Sequence, residues 1–397
     1  MLKILSPVLA VATAAMFATS ARAQSPEAAP SPYSAKPAIP ESAFFAGYID
    51  YRVLLNGLDG ALRTVYDKTP AIFKPYVNEV DMEIKDFKAI LADKQLPVEN
   101  FEWGFFAIMA DPGIATASLD DKPEHINHGG AVICMKDTAP FVKMLAGKTD
   151  LDNDVRTVAG AEVFVYSGWF FAPVDSHIIV ISPGEYSRWD SENNKAVYEP
   201  DEFALKALIR SQRGYGGSSR RFARLAEVSG DTFARFMIPS PGKNVDRAGL
   251  RQLFNEHVAR TGDPELSDSL LNLGDFVVDF RLNGESAGVI ASLEMASDAD
   301  ADQMAGFLSS SSLLYRVGLD SGMVAISYNM DDIKRDMQRS NFPPALIANT
   351  WEICKALRTE LSDAVVTGRD GRTVWVSATL NFARLMDAVL KVLESNP

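Results

Sequence analysis

Residues 276–293 constrain the fold more than any other stretch of the chain. Two apolar-rich runs, 276–282 and 289–293, flank Asn283-Gly284. Both turn residues tolerate positive φ, so the stretch predicts a two-stranded antiparallel hairpin. A second pair of runs, 365–367 and 374–378, turns at Asp370-Gly371. Helical stretches fill most of 300–361, opened by Ser297 or Asp298 as a cap. A closing helix over 381–394 carries an apolar stripe of Phe382, Leu385, Met386, Val389, Leu390 and Leu393.

The first half repeats that order. An apolar run at 44–49 leads into helical regions, of which 76–92 has apolar residues at Val77, Val80, Ile84, Phe87 and Leu91. Strands are predicted at 101–109 and 130–135, separated by a polar loop over 110–130. A helix capped by Asp137 or Thr138 follows, then strand-like runs at 161–166 and 177–182. The order restarts with a strand at 232–237 and helices between 245 and 273. Strand, helices, hairpin, helix, hairpin is an α+β pattern without the regular βαβ alternation of a parallel sheet. The predicted fold is therefore two tandem, duplicated α+β domains of antiparallel sheet with helices packed on it. The first spans 42–190 and the second 230–397, joined by a basic interdomain segment at 191–229.

The N-terminus reads as an export signal. Lys3 precedes an apolar region over 4–18, and Ala21-Arg22-Ala23 fits small-x-small cleavage before Gln24. A signal peptide at 1–23 is followed by a Pro-rich spacer at 24–41, with Pro26, Pro30, Pro32, Pro37 and Pro40. No later run approaches the roughly 18 apolar residues of a membrane span, so no transmembrane segment is expected after cleavage. The expected location is outside the cytoplasm, periplasmic or extracellular. Only Cys134 and Cys354 are present, which cannot build a disulfide framework, and two separate buried thiols are expected. The 397 residues carry a net charge of −13 with pI near 4.9. Such an acidic chain is not expected to bind nucleic acid, which requires a basic face.

Against that acidity stands one basic island: Lys206, Arg210, Arg213, Arg220, Arg221 and Arg224, with no acidic residue between Phe203 and Ala226. Lys206, Arg210 and Arg213 share one helical face. Guanidinium forks suit phosphate and carboxylate, and a helix beginning near Ser218 would add backbone donors. The competing reading is a segment that docks its cations on the protein's own acidic surfaces. The 110–130 loop holds His125 and His128 beside Asp120, Asp121 and Glu124, a spacing that could share a metal. HExxH, G-x-S-x-G and P-loop patterns are absent. The acidic runs at 150–154 and 298–302 lack the Gly and Glu of a calcium loop.

The strand over 130–133 with the helix containing Phe141, and the strand 286–295 with the helix that Asp298 opens, resemble exported bacterial proteins of uncharacterised function built from two tandem α+β repeats. The resemblance implies no catalytic residues. The expected role is that of an exported binding or envelope-associated interaction protein. Its partner is a small anionic ligand or an envelope protein, and no cofactor is expected. The rival is a hydrolase whose site assembles near the 110–130 loop.

Overall fold

The computed structural model describes residues 37–69, 74–93, 96–110, 127–147, 156–166, 169–181, 186–190, 195–198, 201–215, 220–225, 227–228, 230–240, 273–340 and 342–395. The signal peptide, most of the Pro-rich spacer, most of the 110–130 loop, the acidic run at 150–154 and the helices expected between 245 and 273 lie outside the described residues.

In chain order, β1 (Ala43–Asp50) runs directly into α1 (Tyr51–Lys68), followed by α2 (Lys74–Asp93), β2 (Phe101–Ala110), β3 (Asn127–Met135) and α3 (Ala139–Ala146). Next come β4 (Arg156–Val158), β5 (Ala161–Tyr166), β6 (Trp169–Val174), β7 (His177–Ile181), β8 (Tyr186–Asp190), β9 (Lys195–Tyr198), α4 (Glu202–Gln212) and β10 (Thr232–Ile238). The remainder is β11 (Leu273–Leu282), β12 (Ser286–Met295), α5 (Asp298–Tyr328), α6 (Met330–Arg339), α7 (Pro344–Ala348), α8 (Thr350–Ser362), β13 (Val365–Asp370), β14 (Thr373–Asn381) and α9 (Phe382–Ser395). Among the described residues, no helix is long and apolar enough to cross a membrane.

The chain forms two compact units, and both are antiparallel sheets with packed helices. One contains Glu27–Leu54 and Glu83–Pro239; the other contains Leu55–Met82 and Ser240–Pro397. This division departs from the sequential one expected around 190–230 in two segments. Strand β10 joins the first unit because it pairs with β1, Ala46 opposite Met237 through Ile49 opposite Ala234. Most of α1 joins the second because Gly57 and Gly60 let it close on the β11–β12 turn. A Cβ at Gly57 would lie 2.7 Å from the Leu282 carbonyl oxygen, and one at Gly60 2.9 Å from the Gly284 Cα.

In the first unit the strand order is β10-β1-β2-β3-β7-β6-β5-β4. One sheet face carries Tyr48, Phe105, Val132, Ile179 and Ala172 in a single cross-strand row, all buried. Leu205, Leu208 and Ile209 of α4 are fully buried as well, and the helix packs on β3 and β7. Gly130 permits that approach: a Cβ there would meet Leu208 and Ile181 side chains at 2.6 and 2.4 Å. A cluster of Leu96, Met135 and Ile178 gathers Phe141 and Val142 of α3. In the second unit the order is β13-β14-β12-β11, and Met295 and Val374 pack with Ala301 and Met304 of α5. The order β6-β7-β3-β2 in one unit is thus repeated as β13-β14-β12-β11 in the other.

Both sheets contain a glycine lidded by aromatic rings from the next strand. A Cβ at Gly47 would sit 2.2 Å from Phe106 and 2.6 Å from Phe236, and one at Gly368 would sit 2.2 Å from the Trp375 ring. Ring atoms fill the space a side chain would need, so the glycine is required for packing rather than for φ. Gly47→Val should therefore destabilise the chain by about 1–3 kcal/mol through overpacking, measured as a lower midpoint in urea unfolding. An unchanged midpoint would show that the rings move aside freely.

Candidate functional site

Helix α4 begins at Asp201, whose Oδ1 accepts from Ala204 N at 3.0 Å as the N-cap. The other carboxylate oxygen, Oδ2, accepts from His128 Nδ1 at 2.8 Å. His128 lies within β3, paired with Met109, rather than in the loop where its spacing to His125 had placed it. The physical reason is Gly129-Gly130, which strips the start of β3 of its apolar alternation. The imidazole also packs against Phe203, with ring centroids 4.8 Å apart. It therefore ties a strand to a helix cap. No cluster of three or more metal-ligating side chains occurs among the described residues, and His125 lies outside them.

The basic island is divided by what its members touch. Lys206 pairs with Glu202 one turn earlier on α4. Arg213 reaches the β4–β5 turn, donating from one guanidinium nitrogen to Ala159 O at 2.6 Å and from another to Gly160 O at 2.9 Å. That two-residue turn has φ of 49° at Ala159 and 75° at Gly160, the mirror-image geometry that matches strand twist. Ala159 is strained there, and the Arg213 fork secures both of its carbonyls. Arg210, Arg220, Arg221 and Arg224 are exposed. The chain beyond α4 folds back, Tyr215 N donating to Arg210 O at 2.8 Å, and the Tyr215 ring is exposed. The helix expected from about Ser218 is, among the described residues, a single 3₁₀ turn at Arg220–Phe222. Phe222 and Leu225 are buried, anchoring this short segment to the unit while the three arginines stay outside. A turn of that length supplies no helix N-terminus for an anion.

A buried polar row on the first unit's sheet has no signature in sequence spacing. Asp50, Trp103, Cys134 and His177 are direct cross-strand neighbours on β1, β2, β3 and β7. At Phe101/Trp103 the β2–β3 register shifts, and this bulge brings Glu102 to the same partner as Trp103. Cys134 Sγ donates to Glu102 Oε2 at 3.7 Å. Burial, then the Glu102 charge, pushes the Cys134 thiol up to about 11. Burial raises the Tyr48 hydroxyl too, with Asp50 adding to the shift, and burial lowers His177. Asp50 accepts from Arg52 N at 3.0 Å and Val53 N at 3.1 Å and pairs with the Arg52 guanidinium at 3.2 Å. The row therefore keeps its thiol protonated, the opposite of an activated nucleophile. Cys134 and Cys354 are both free.

Two measurements follow. Arg213→Ala should lower stability by about 1 kcal/mol through loss of the carbonyl fork, read by chemical denaturation; no loss would mean that the turn holds its own geometry. Because the folded Cys134 pKa is raised from 9.0 to about 11, the stability it contributes is complete below pH 9 and is lost as pH rises through 11. Cys134→Ala should flatten the fall in stability across that window, and an unchanged alkaline slope would show that Cys134 does not contribute to it.

No family model and no curated protein matches the chain. Among solved structures it is similar to crystal form I of the treponemal protein TP0453, at 11% identity and a TM-score of 0.36, covering 90% of this chain and 98% of that one. Crystal form III of the same protein gives 9% identity and 0.35, covering 90% and 99%, and form IV 11% and 0.35, covering 90% and 97%. At such TM-scores the likeness carries no argument about the site.

Proposed function

We propose that the chain is an exported binding protein of the cell envelope, and that its basic segment meets an anionic ligand through Arg210 and Arg220. The observation that carries this reading is the concentration of exposed guanidinium groups in a segment with no carboxylate between Phe203 and Ala226, on a chain of net charge −13. Lys206 and Arg213 are left out of the ligand set because Glu202 and the β4–β5 turn already engage them. The exposed Tyr215 ring adds a surface on which a sugar or planar group could stack. Export rests on the signal-like residues 1–23, and the shared strand order of the two units supports descent from a duplicated α+β domain.

Thermal unfolding against inorganic phosphate, phosphorylated sugars and uronic acids tests the ligand class. An anion at 100 times its dissociation constant should add about 2.7 kcal/mol. Arg210→Ala with Arg220→Ala should abolish that shift. Arg213→Ala should keep it while lowering the starting stability. If no anion stabilises the chain, or if the double variant responds as the native chain does, the basic segment is not the binding site.

A further inference from the structure

Helix α5 runs for 31 residues, about 46 Å. Its first turns belong to the core of the second unit, where Ala301 and Met304 are buried. Further along, large apolar side chains stand open: Leu313 is 63% exposed, Val317 54%, Val324 54% and Tyr328 84%. At about 3.6 residues per turn, Leu313, Val317, Val324 and Tyr328 fall on one face. The charged residues of this stretch are held to the side: Arg358 donates to Asp320 at 2.6 and 2.9 Å, and Arg316 pairs with Asp363 at 3.9 Å. The small residues on the face are exposed Gly306, Ser310 and Ser321. Both serine hydroxyls donate within their own helix, Ser310 to Gly306 O at 3.1 Å and Ser321 to Val317 O at 2.9 Å. They can therefore be covered without leaving an unpaired donor.

We infer that this face pairs with the same face of a second copy, antiparallel, about a two-fold axis at Val317. The residue order is self-complementary about that point. Tyr328 falls opposite Gly306 of the other copy, Val324 opposite Ser310, Leu313 opposite Ser321, and Val317 opposite itself. Each of these four large side chains thus meets a small one or its own symmetry mate, as an isologous contact requires. The exposed apolar area of Leu313, Val317, Val324 and Tyr328 is about 400–500 Å² per copy, given roughly 150–250 Å² for a whole large side chain. Two copies together bring about 800–1,000 Å², most of the roughly 1,200 Å² at which stable interfaces begin, before any rim residue is counted. A lipid surface fits less well. Interfacial helices carry a Lys- and Arg-rich rim, whereas the cation in the middle of α5, Arg316, lies beside Asp363.

Sedimentation of the full chain between micromolar and hundred-micromolar concentration should show twice the 43.3 kDa chain mass. Val317→Glu, which places two carboxylates on the axis, should return the single-chain mass with an unchanged circular-dichroism spectrum and unfolding midpoint. Should that variant fail to fold, Val317→Cys gives an independent reading. Mild oxidation should link it to its own copy faster than Ser309→Cys, which lies on the flank facing Thr367, with the native chain as the background for Cys134 and Cys354. A single-chain mass throughout, a dimer that survives Val317→Glu, or equal cross-linking at both cysteines would overturn the pairing. So would a monomer that floats with phosphatidylcholine vesicles, which would assign the face to lipid.

Discussion

A carboxylate buried at the end of a strand organises the first unit. Asp50 closes β1 and opens α1 without an intervening loop. Its side chain accepts two backbone N–H groups of the new helix and the Arg52 guanidinium. A charge that is 4% exposed is tolerable only when its lone pairs are met in this way. Removing it would free two helix N–H groups and take the ion pair from the half-buried Arg52 guanidinium at once. The same carboxylate lies in a row with Trp103, Cys134 and His177, and its field reaches Tyr48. One side chain thus caps a helix, pairs with Arg52 and adds to the rise that burial gives the Tyr48 hydroxyl.

The two units solve one packing problem with different excess. Each central hairpin, β2–β3 or β11–β12, is followed by a helix and joined by the second strand of a later hairpin. In the first unit that helix is α3, eight residues long, and its apolar residues are absorbed by the Met135–Ile178 cluster. In the second unit it is α5, 31 residues long, and its core contacts centre on Ala301, Met304, Ala305 and Leu308. The sheet needs only the opening turns. Beyond Leu308 one flank still meets α8 and β13, through Tyr315 on the Leu361 carbonyl and Ser309 beside Thr367, while Leu313, Val317, Val324 and Tyr328 remain exposed. Surplus apolar helix surface on a folded unit calls for a partner.

The hairpin at 276–293 was legible because its turn residues act locally: Asn283 Oδ1 accepts from both Glu285 N and Ser286 N, and Asn283 N donates to Ser286 O. Elements whose signal was masked by one residue were not. Gly129-Gly130 hid the start of β3, and Pro173 obscured β6, which pairs with β5 and β7 all the same. Site geometry was less legible still. Helical spacing placed Arg213 on a face with Lys206 and Arg210, but its partners are two carbonyls more than fifty residues earlier. His128 and Asp201 are 73 positions apart, and the bulge that turns Glu102 toward Cys134 leaves no local pattern. Spacing reports which residues share a face; only the fold reports what faces them.

Charge then separates the two surfaces by chemistry. Many of the chain's arginines are occupied internally: Arg213 and Arg235 on carbonyls, Arg358 and Arg369 on carboxylates. A count of cations therefore overstates what a ligand can meet, and the basic segment matters for the exposure of its guanidinium groups, Arg210 and Arg220 among them. The converse holds for α5. A chain of net charge −13 repels its own copy over a distance of about 10 Å at ordinary salt. Self-association of such a chain requires a face from which charge has been cleared, and any salt that screens the rest of the surface acts in the same direction. Residues 306–328, with Arg316 and Asp320 both drawn toward α8, meet that requirement, whereas the basic segment meets the opposite one, offering charge to a partner of the other sign.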